Sequence, residues 1–201
     1  MTADTESQSV TLALFPLNTV LFPGGPLPLR IFETRYTDMV RRCMRQRSSF
    51  GVLLIRAGAE VGSVTSTAEI GTSARIVDFY QLPDGLLGIT CVGERKFRVR
   101  ERSRQPDGLN VGKIEWLPPE AEVALPAEHH HLGQLLRKVL PELSELYQNV
   151  PKHFDDAGWV SSRLAEILPL ELSDKQFLLE MDDPLVRLAR VAPLIRRNEE
   201  G

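Results

Sequence analysis

Two cysteines are all that a chain of 201 residues carries. They are not spaced as CxxC, which excludes a zinc knuckle or a thioredoxin-like pair of that spacing. Cys43 and Cys91 each sit in an apolar pattern, as buried reduced thiols do. Aromatics are scarce at 6%, and nearly absent from the one strongly basic stretch, residues 95–104. Neither sign of charge dominates, since 24 Lys+Arg against 27 Asp+Glu leave a formal net charge of −3. The chain therefore has no general pull towards nucleic acid or anionic lipid. No apolar run approaches the ~20 residues needed to span a bilayer. Residues 1–9 are polar, lack a secretion-signal pattern and read as a disordered tail. A cytoplasmic protein without a membrane partner is expected. Catalytic signatures are missing too: no G-x-x-x-x-G-K-[ST] phosphate loop and no G-x-S-x-G nucleophile elbow occur. No cofactor is implied, and no metal. Glu128, His129, His130 and His131 are adjacent, and consecutive helical residues point about 100° apart, so they do not converge on one ion. His153 stands alone beside Lys152 and reads as a surface residue.

What remains is the composition of an ordinary globular protein, 42% hydrophobic and 25% charged. Three short apolar runs open it. Residues 12–15 are stopped by Pro16, residues 19–22 by Pro23-Gly24-Gly25-Pro26, and residues 27–32 contain Pro28. Short β-branched or aromatic runs bounded by breakers read as strands, with each proline at an edge, end or bulge. The period then changes to that of a helix, with Tyr36, Met39, Val40, Cys43 and Met44 on one face. Strand patterns follow at 50–55 and, weakly, 61–70. The clearest hairpin is 74–82 and 86–92, turning at Pro83-Asp84-Gly85, where proline pre-sets φ and glycine supplies φ > 0. Gly93 and Glu94 read as a turn into 95–100, where Phe97 and Val99 face in and Lys96, Arg98 and Arg100 face water. Residues 110–117 are the last strand pattern.

Residues 119–127 are a Pro- and Glu-rich linker, after which the period is helical. A leucine stripe from Leu132 to Tyr147 is kinked by Pro141. Asp155-Asp156 cap a helix that runs to Leu168. Ser173 and Gln176 fit a capping box. Asp183 caps a final helix with Leu185, Leu188, Val191, Ala192 and Ile195 inward. The fold class expected is α+β: an antiparallel barrel or sandwich with one early helix over residues 10–118, then a helical bundle over 128–197.

The run FPLNTVLFPGGPLPLRIFETRYTDMV resembles the start of the amino-terminal, substrate-binding domain of Lon proteases. VGERKFRV after the hairpin and the tail LPLELSDKQFLLEMDDPLVRLARVAPLI resemble two later elements of that family. The resemblance covers about residues 12–197. It implies a PUA-like β subdomain followed by a helical one, and a stand-alone member without the ATPase and serine-lysine protease modules. A non-enzymatic protein that binds exposed apolar or unfolded protein segments is then expected. Its partners would be unfolded or peptide substrates, with a separate Lon protease as a further partner, and its place that of an adaptor in proteolysis or quality control. An apolar groove between barrel and helices is the expected location. Phe22, Leu27, Phe32, Tyr36, Leu86 and Leu87 are the candidate peptide contacts. Leu86-Leu87 depart from the family, which favours a polar residue there. Pro23, Gly24, Glu33 and Arg35 are motif residues read as structural, Glu33 favouring the positive start of the following helix. The alternative is a PUA-like RNA- or small-molecule-binding module using residues 95–104, against which the sparse aromatics weigh.

Overall fold

The computed structural model describes residues 10–58 and 64–199. Among the described residues the strands are β1 (Val10–Leu17), β2 (Pro26–Ile31), β3 (Phe50–Gly58), β4 (Val64–Thr67), β5 (Ile70–Gln81), β6 (Leu87–Arg104) and β7 (Asn110–Trp116). The helices are α1 (Thr34–Gln46), α2 (His130–Val139), α3 (Ser144–Tyr147), α4 (Ala157–Ile167), α5 (Leu172–Glu180) and α6 (Pro184–Glu199). Residues 1–9 and 61–63, read from sequence as a tail and the start of a weak strand pattern, lie outside the described residues.

Neighbouring strands run β1-β7-β6-β5-β3-β4 in antiparallel pairs. β1 also pairs with β3 in parallel, Leu14 opposite Gly51 through Leu17 opposite Leu54, so the strand path returns on itself. A parallel pairing needs a long crossover, and here β2 and α1 supply it. β6 is long enough, at 18 residues, to serve two partners on one side. Its first part pairs with β2, and its last part with β7.

The apolar stripe of α1 covers Leu27, Ile31, Ile89 and Cys91 with Tyr36, Met39, Val40 and Cys43. Met44, expected on that stripe, is 39% exposed. At 100° per residue it lies about 90° from the stripe's centre, at the helix flank. Leu12, Leu14, Leu53, Phe97, Val99 and Ile114 form a second cluster among the strands. The third is shared: Val20, Phe22, Leu54, Ala68 and Val92 pack with Leu132, Leu136, Val160, Leu164, Leu188 and Val191 of the helices.

Several local expectations are corrected. Residues 19–22 form no strand, although Val20, Leu21 and Phe22 are buried. They are core residues on an irregular segment, held by Thr72 Oγ1 donating to Leu21 O at 2.5 Å. β1 runs through Pro16, and β1 and β2 do not pair with each other. Gly93-Glu94 is not a turn. β6 passes straight through it, and the register slips by one residue between Thr72–Lys96 and Ala74–Gly93, which is a bulge. Lys96, expected in water, is only 4% exposed, because the helical half covers its face and its Nζ donates to Leu179 O at 3.3 Å. Pro141 does more than kink its helix: α2 ends at Val139 and a 3-10 turn, Leu140–Leu143, leads into α3. Ser173 is not an N-cap, because α5 starts one residue earlier behind Glu171. Gln176 is instead buried, donating to Ile70 O at 3.0 Å. Asp156 and Asp183 cap as expected, taking Trp159 N–H at 2.6 Å and Leu185 N–H at 2.8 Å. Leu185 itself points out, 41% exposed.

Candidate functional site

Two polar ties fasten the helices to the strands, and they decide which surfaces are left free. The first grips the Pro23-Gly24-Gly25 bend, where Gly24 has φ +70°. Gly24 N–H donates to Gly93 O at 2.7 Å and Gly93 N–H to Gly25 O at 2.8 Å. A Cβ on Gly93 would lie 2.3 Å from Phe22 O, so only glycine permits this approach. Arg163, its side chain 0% exposed, donates to Pro23 O at 2.9 Å and Glu166 Oε1 at 2.7 Å. Tyr147 OH completes the group, donating to Glu166 Oε2 at 3.2 Å. Burial pushes the Glu166 carboxyl above its ordinary pKa despite Arg163, and burial likewise raises the Tyr147 hydroxyl.

The second tie is a charge cluster. Lys96 Nζ lies 3.1 Å from Glu120 Oε1 and 3.0 Å from Asp182 Oδ1, and donates to Met181 O at 2.9 Å. Arg187 donates to Glu120 Oε1 at 2.8 Å and to Glu120 Oε2 at 2.5 Å. Burial acts to raise the Glu120 pKa, but Arg187 and Lys96 outweigh it and hold the carboxyl below its ordinary value. A cleft of about 720 Å³ opens beside this cluster, lined by Gly24, Lys96, Pro119, Glu120, Trp159 and Ser162 among others. The seam between strands and helices, where an apolar groove was expected, thus mixes apolar residues such as Leu117, Pro118 and Trp159 with charged ones such as Lys96, Glu120 and Asp156.

The exposed aromatic rings lie elsewhere. β2, the first part of β6 and the second part of β5 form a three-stranded ribbon ending in the Pro83-Asp84-Gly85 turn. Gly85 has φ +83° there, and Asp84 Oδ1 accepts from Leu86 N–H at 3.1 Å. Phe32 is 55%, Phe79 59% and Tyr80 41% exposed on this ribbon. The Tyr80 ring covers Gly88, where a Cβ would meet it at 2.3 Å. A hollow of about 460 Å³ beside it is lined by Pro28, Leu29, Arg30, Tyr80, Leu82, Pro83 and Asp84. Leu172 and Phe177 on α5 and Leu185 and Val186 on α6 are exposed as well, with Arg190 over the Phe177 ring at 5.3 Å.

Of the six candidate peptide contacts, Phe22, Leu27 and Tyr36 are core residues, at most 8% exposed. They cannot meet a partner without unpacking the protein. Phe32 is exposed, and Leu86 and Leu87 are half-buried at the ribbon's end. Phe79 and Tyr80 were missed, because their strand pattern says nothing about which part of β5 lacks a neighbour. Glu33 stands at the N-cap position of α1 without a side-chain cap bond and pairs with Arg35 at 2.7 Å. Arg35 also donates to Gly108 O at 2.9 Å. Much of the basic stretch is spent internally: Arg100 pairs with Glu115, Arg102 donates to Ala68 O at 2.9 Å, and Arg104 to Gly108 O at 3.1 Å. His130 Nε2 lies 3.0 Å from Leu125 O. Among the described residues no group of three or more His, Cys, Asp or Glu gathers round a metal-sized site. No described helix is long and apolar enough to cross a membrane.

The family model for the ATP-dependent protease La (LON) substrate-binding domain matches residues 11–197. The chain belongs to the Lon substrate-binding domain family. A Lon N-terminal domain protein from Xanthomonas campestris has a similar crystal structure, with TM-score 0.75 and 40% identity over 92% of this chain and 98% of that one. The N-terminal domain of a Mycobacterium avium complex Lon protease shares the fold at TM-score 0.59 and 19% identity, covering 90% of this chain and 96% of that one. The Lon protease of Cytophaga hutchinsonii is 26% identical over 97% of this chain. The chain spans about a quarter of the length of the curated Lon proteases it matches. A stretch covering 57% of the chain is also 35% identical to the protein cereblon of Danio rerio, over 28% of its length. The shared Lon-domain fold is a mostly antiparallel sheet with several helices, and the match extends to neither a protease nor an ATPase domain.

Proposed function

We propose that this Lon-type domain binds exposed apolar segments of unfolded proteins at the ribbon end that carries Phe32, Phe79 and Tyr80. The observation behind this reading is the concentration of exposed rings on one ribbon in a chain whose family is named for substrate binding. Exposed apolar side chains gathered on one element mark an interaction site more often than scattered ones do. The protein acts without peptidase or ATPase chemistry of its own, as a cytoplasmic adaptor in protein quality control, with a separate Lon protease as a downstream partner. The closed strand path fits a PUA-like barrel over residues 10–118, and the packing of α4 against α2, α5 and α6 fits a helical bundle over 128–197. Binding of RNA through residues 95–104 is the weaker reading, because so many of those arginines are tied to the protein itself.

The test is fluorescence anisotropy with reduced, carboxymethylated α-lactalbumin, a permanently unfolded chain. Binding is expected, and the Phe32→Ser/Phe79→Ser double variant weakens it about tenfold through lost ring burial. Equal binding by the variant, or none by the parent, overturns the reading.

A further inference from the structure

The two edges of the ribbon are not alike. Along an antiparallel strand the backbone N–H and C=O of successive residues face opposite sides in alternation. Leu82 N–H donates to Leu86 O at 2.9 Å. The pairs Tyr80–Gly88 and Asp78–Thr90, in the same register, therefore carry the bonds between β5 and β6. The backbone groups of Phe79 and Gln81 face away from β6. Phe79 N–H shows this directly, donating to Asp78 Oδ1 at 2.8 Å rather than to a strand. β3 pairs with β5 only at Thr72, Ser73 and Ala74. Among the described residues, then, no strand pairs with the outer side of β5 at 78–81, and all four residues there are exposed.

The opposite edge is closed by its residues. Gly93 N–H donates to Gly25 O at 2.8 Å, so Leu27, Leu29 and Ile31 bond β6 while Pro26, Pro28 and Arg30 face out. Two of those three outward positions have no N–H to offer, and proline on an edge blocks strand addition. The β5 edge carries no such block. Its one guarded donor, Phe79 N–H, is held by a single side chain that can swing away.

We propose that the outer edge of β5, from Phe79 to Gln81, takes an extended segment of a bound polypeptide as an added strand, with Asp78 as a latch. This rests on the polypeptide-binding reading above and states how the segment is held. Backbone pairing supplies affinity, and alternate side chains of the segment meet Phe79 on one face and Tyr80 on the other. Asp78 sets the charge preference. Arg75, three residues earlier on β5, is already paired with Glu94, and Arg30 on β2 with Asp84. A released Asp78 carboxylate then lies beside the incoming strand, so the occupant is an unfolded protein segment with a lysine or arginine among apolar residues.

The probe is a fluorescein-labelled decapeptide of alternating valine and lysine, titrated against the full chain. Its twin is N-methylated at every residue, which keeps the side chains and removes every backbone donor. The parent peptide is expected to bind and the twin to bind at least tenfold more weakly. Gln81→Pro removes an outward N–H without touching the β5–β6 bonds and weakens the parent peptide by a similar factor. Should that variant fold poorly, the twin on the unaltered chain still decides. Equal binding of the two peptides overturns edge pairing and leaves the apolar-surface reading standing. No binding of either peptide, while carboxymethylated α-lactalbumin binds, also overturns it. Concentration-dependent dimers abolished by Gln81→Pro would make a second copy the occupant and overturn the assignment to unfolded protein. Failure of the lactalbumin titration itself removes the underlying reading.

Discussion

Lys96 is the residue whose neighbours mislead most. It stands between Arg95 and Phe97 in an alternating pattern that puts lysine in water, yet its side chain is 2% exposed and shares Glu120 with Arg187. Nothing in the local pattern signals this, because the helical segment that covers its face and the acid that receives it are set by distant parts of the chain. Removing one member of a buried charge cluster leaves the others uncompensated, which costs about 3 kcal/mol. Glu120→Gln should therefore lower stability by that order in urea unfolding at neutral pH. The pH dependence follows from direction alone. Glu120 has a depressed folded pKa, so its stabilisation is present above the ordinary carboxylate pKa and lost as pH falls through the folded value. Glu166 is raised by burial, so its contribution is present at low pH and lost as pH rises through its folded value. Glu120→Gln should flatten the acid limb of the stability curve, and an unchanged acid limb would count against the cluster.

At the scale of elements, what could be read was what local chemistry determines. The α1 stripe, the Pro83-Asp84-Gly85 hairpin and the Asp156 and Asp183 caps each depend on residues a few positions apart. The segment 19–22 did not yield to the same reading. A buried irregular run and a strand share the same composition, and only Leu21's acceptance from Thr72 distinguishes them. The missed ribbon edge has the same cause, since whether a strand has a neighbour is decided elsewhere in the chain. Gly93 offers a test of the bulge and the bend it receives. Gly93→Ala places a methyl 2.3 Å from Phe22 O, a backbone atom that cannot rotate away. Overpacking of this kind costs about 1–3 kcal/mol, so the thermal midpoint should fall by several degrees. A melt within 1 °C of the parent, an order-of-magnitude threshold set by the same scaling, would show that the bend is free to shift.

For the molecule as a whole, the division into a strand-rich front and a helical back was legible in composition and period. How tightly the two are joined was not. The shared cluster of Val20, Phe22, Leu54 and Val92 with α2, α4 and α6, together with both polar ties, makes separate unfolding unfavourable. Trp116 lies on β7 and Trp159 on α4, so single-tryptophan variants report each part. Their urea midpoints should coincide, as two-state unfolding requires. Cys43 and Cys91 give an independent readout. Burial raises both thiols, Cys91 to about 12, so thiol reagents should modify them only at the rate of global opening. A fast-reacting thiol or two separated midpoints would show that one part opens alone.

The closure of β1 against both β3 and β7 has a consequence for synthesis. β1 leaves the ribosome long before residues 110–114, its second neighbour, have been translated. Leu12 and Leu14 lack the cover of Ile114 until then. Contacts so far apart in sequence form late and slowly, so this nascent chain is itself, for a time, a client for chaperones.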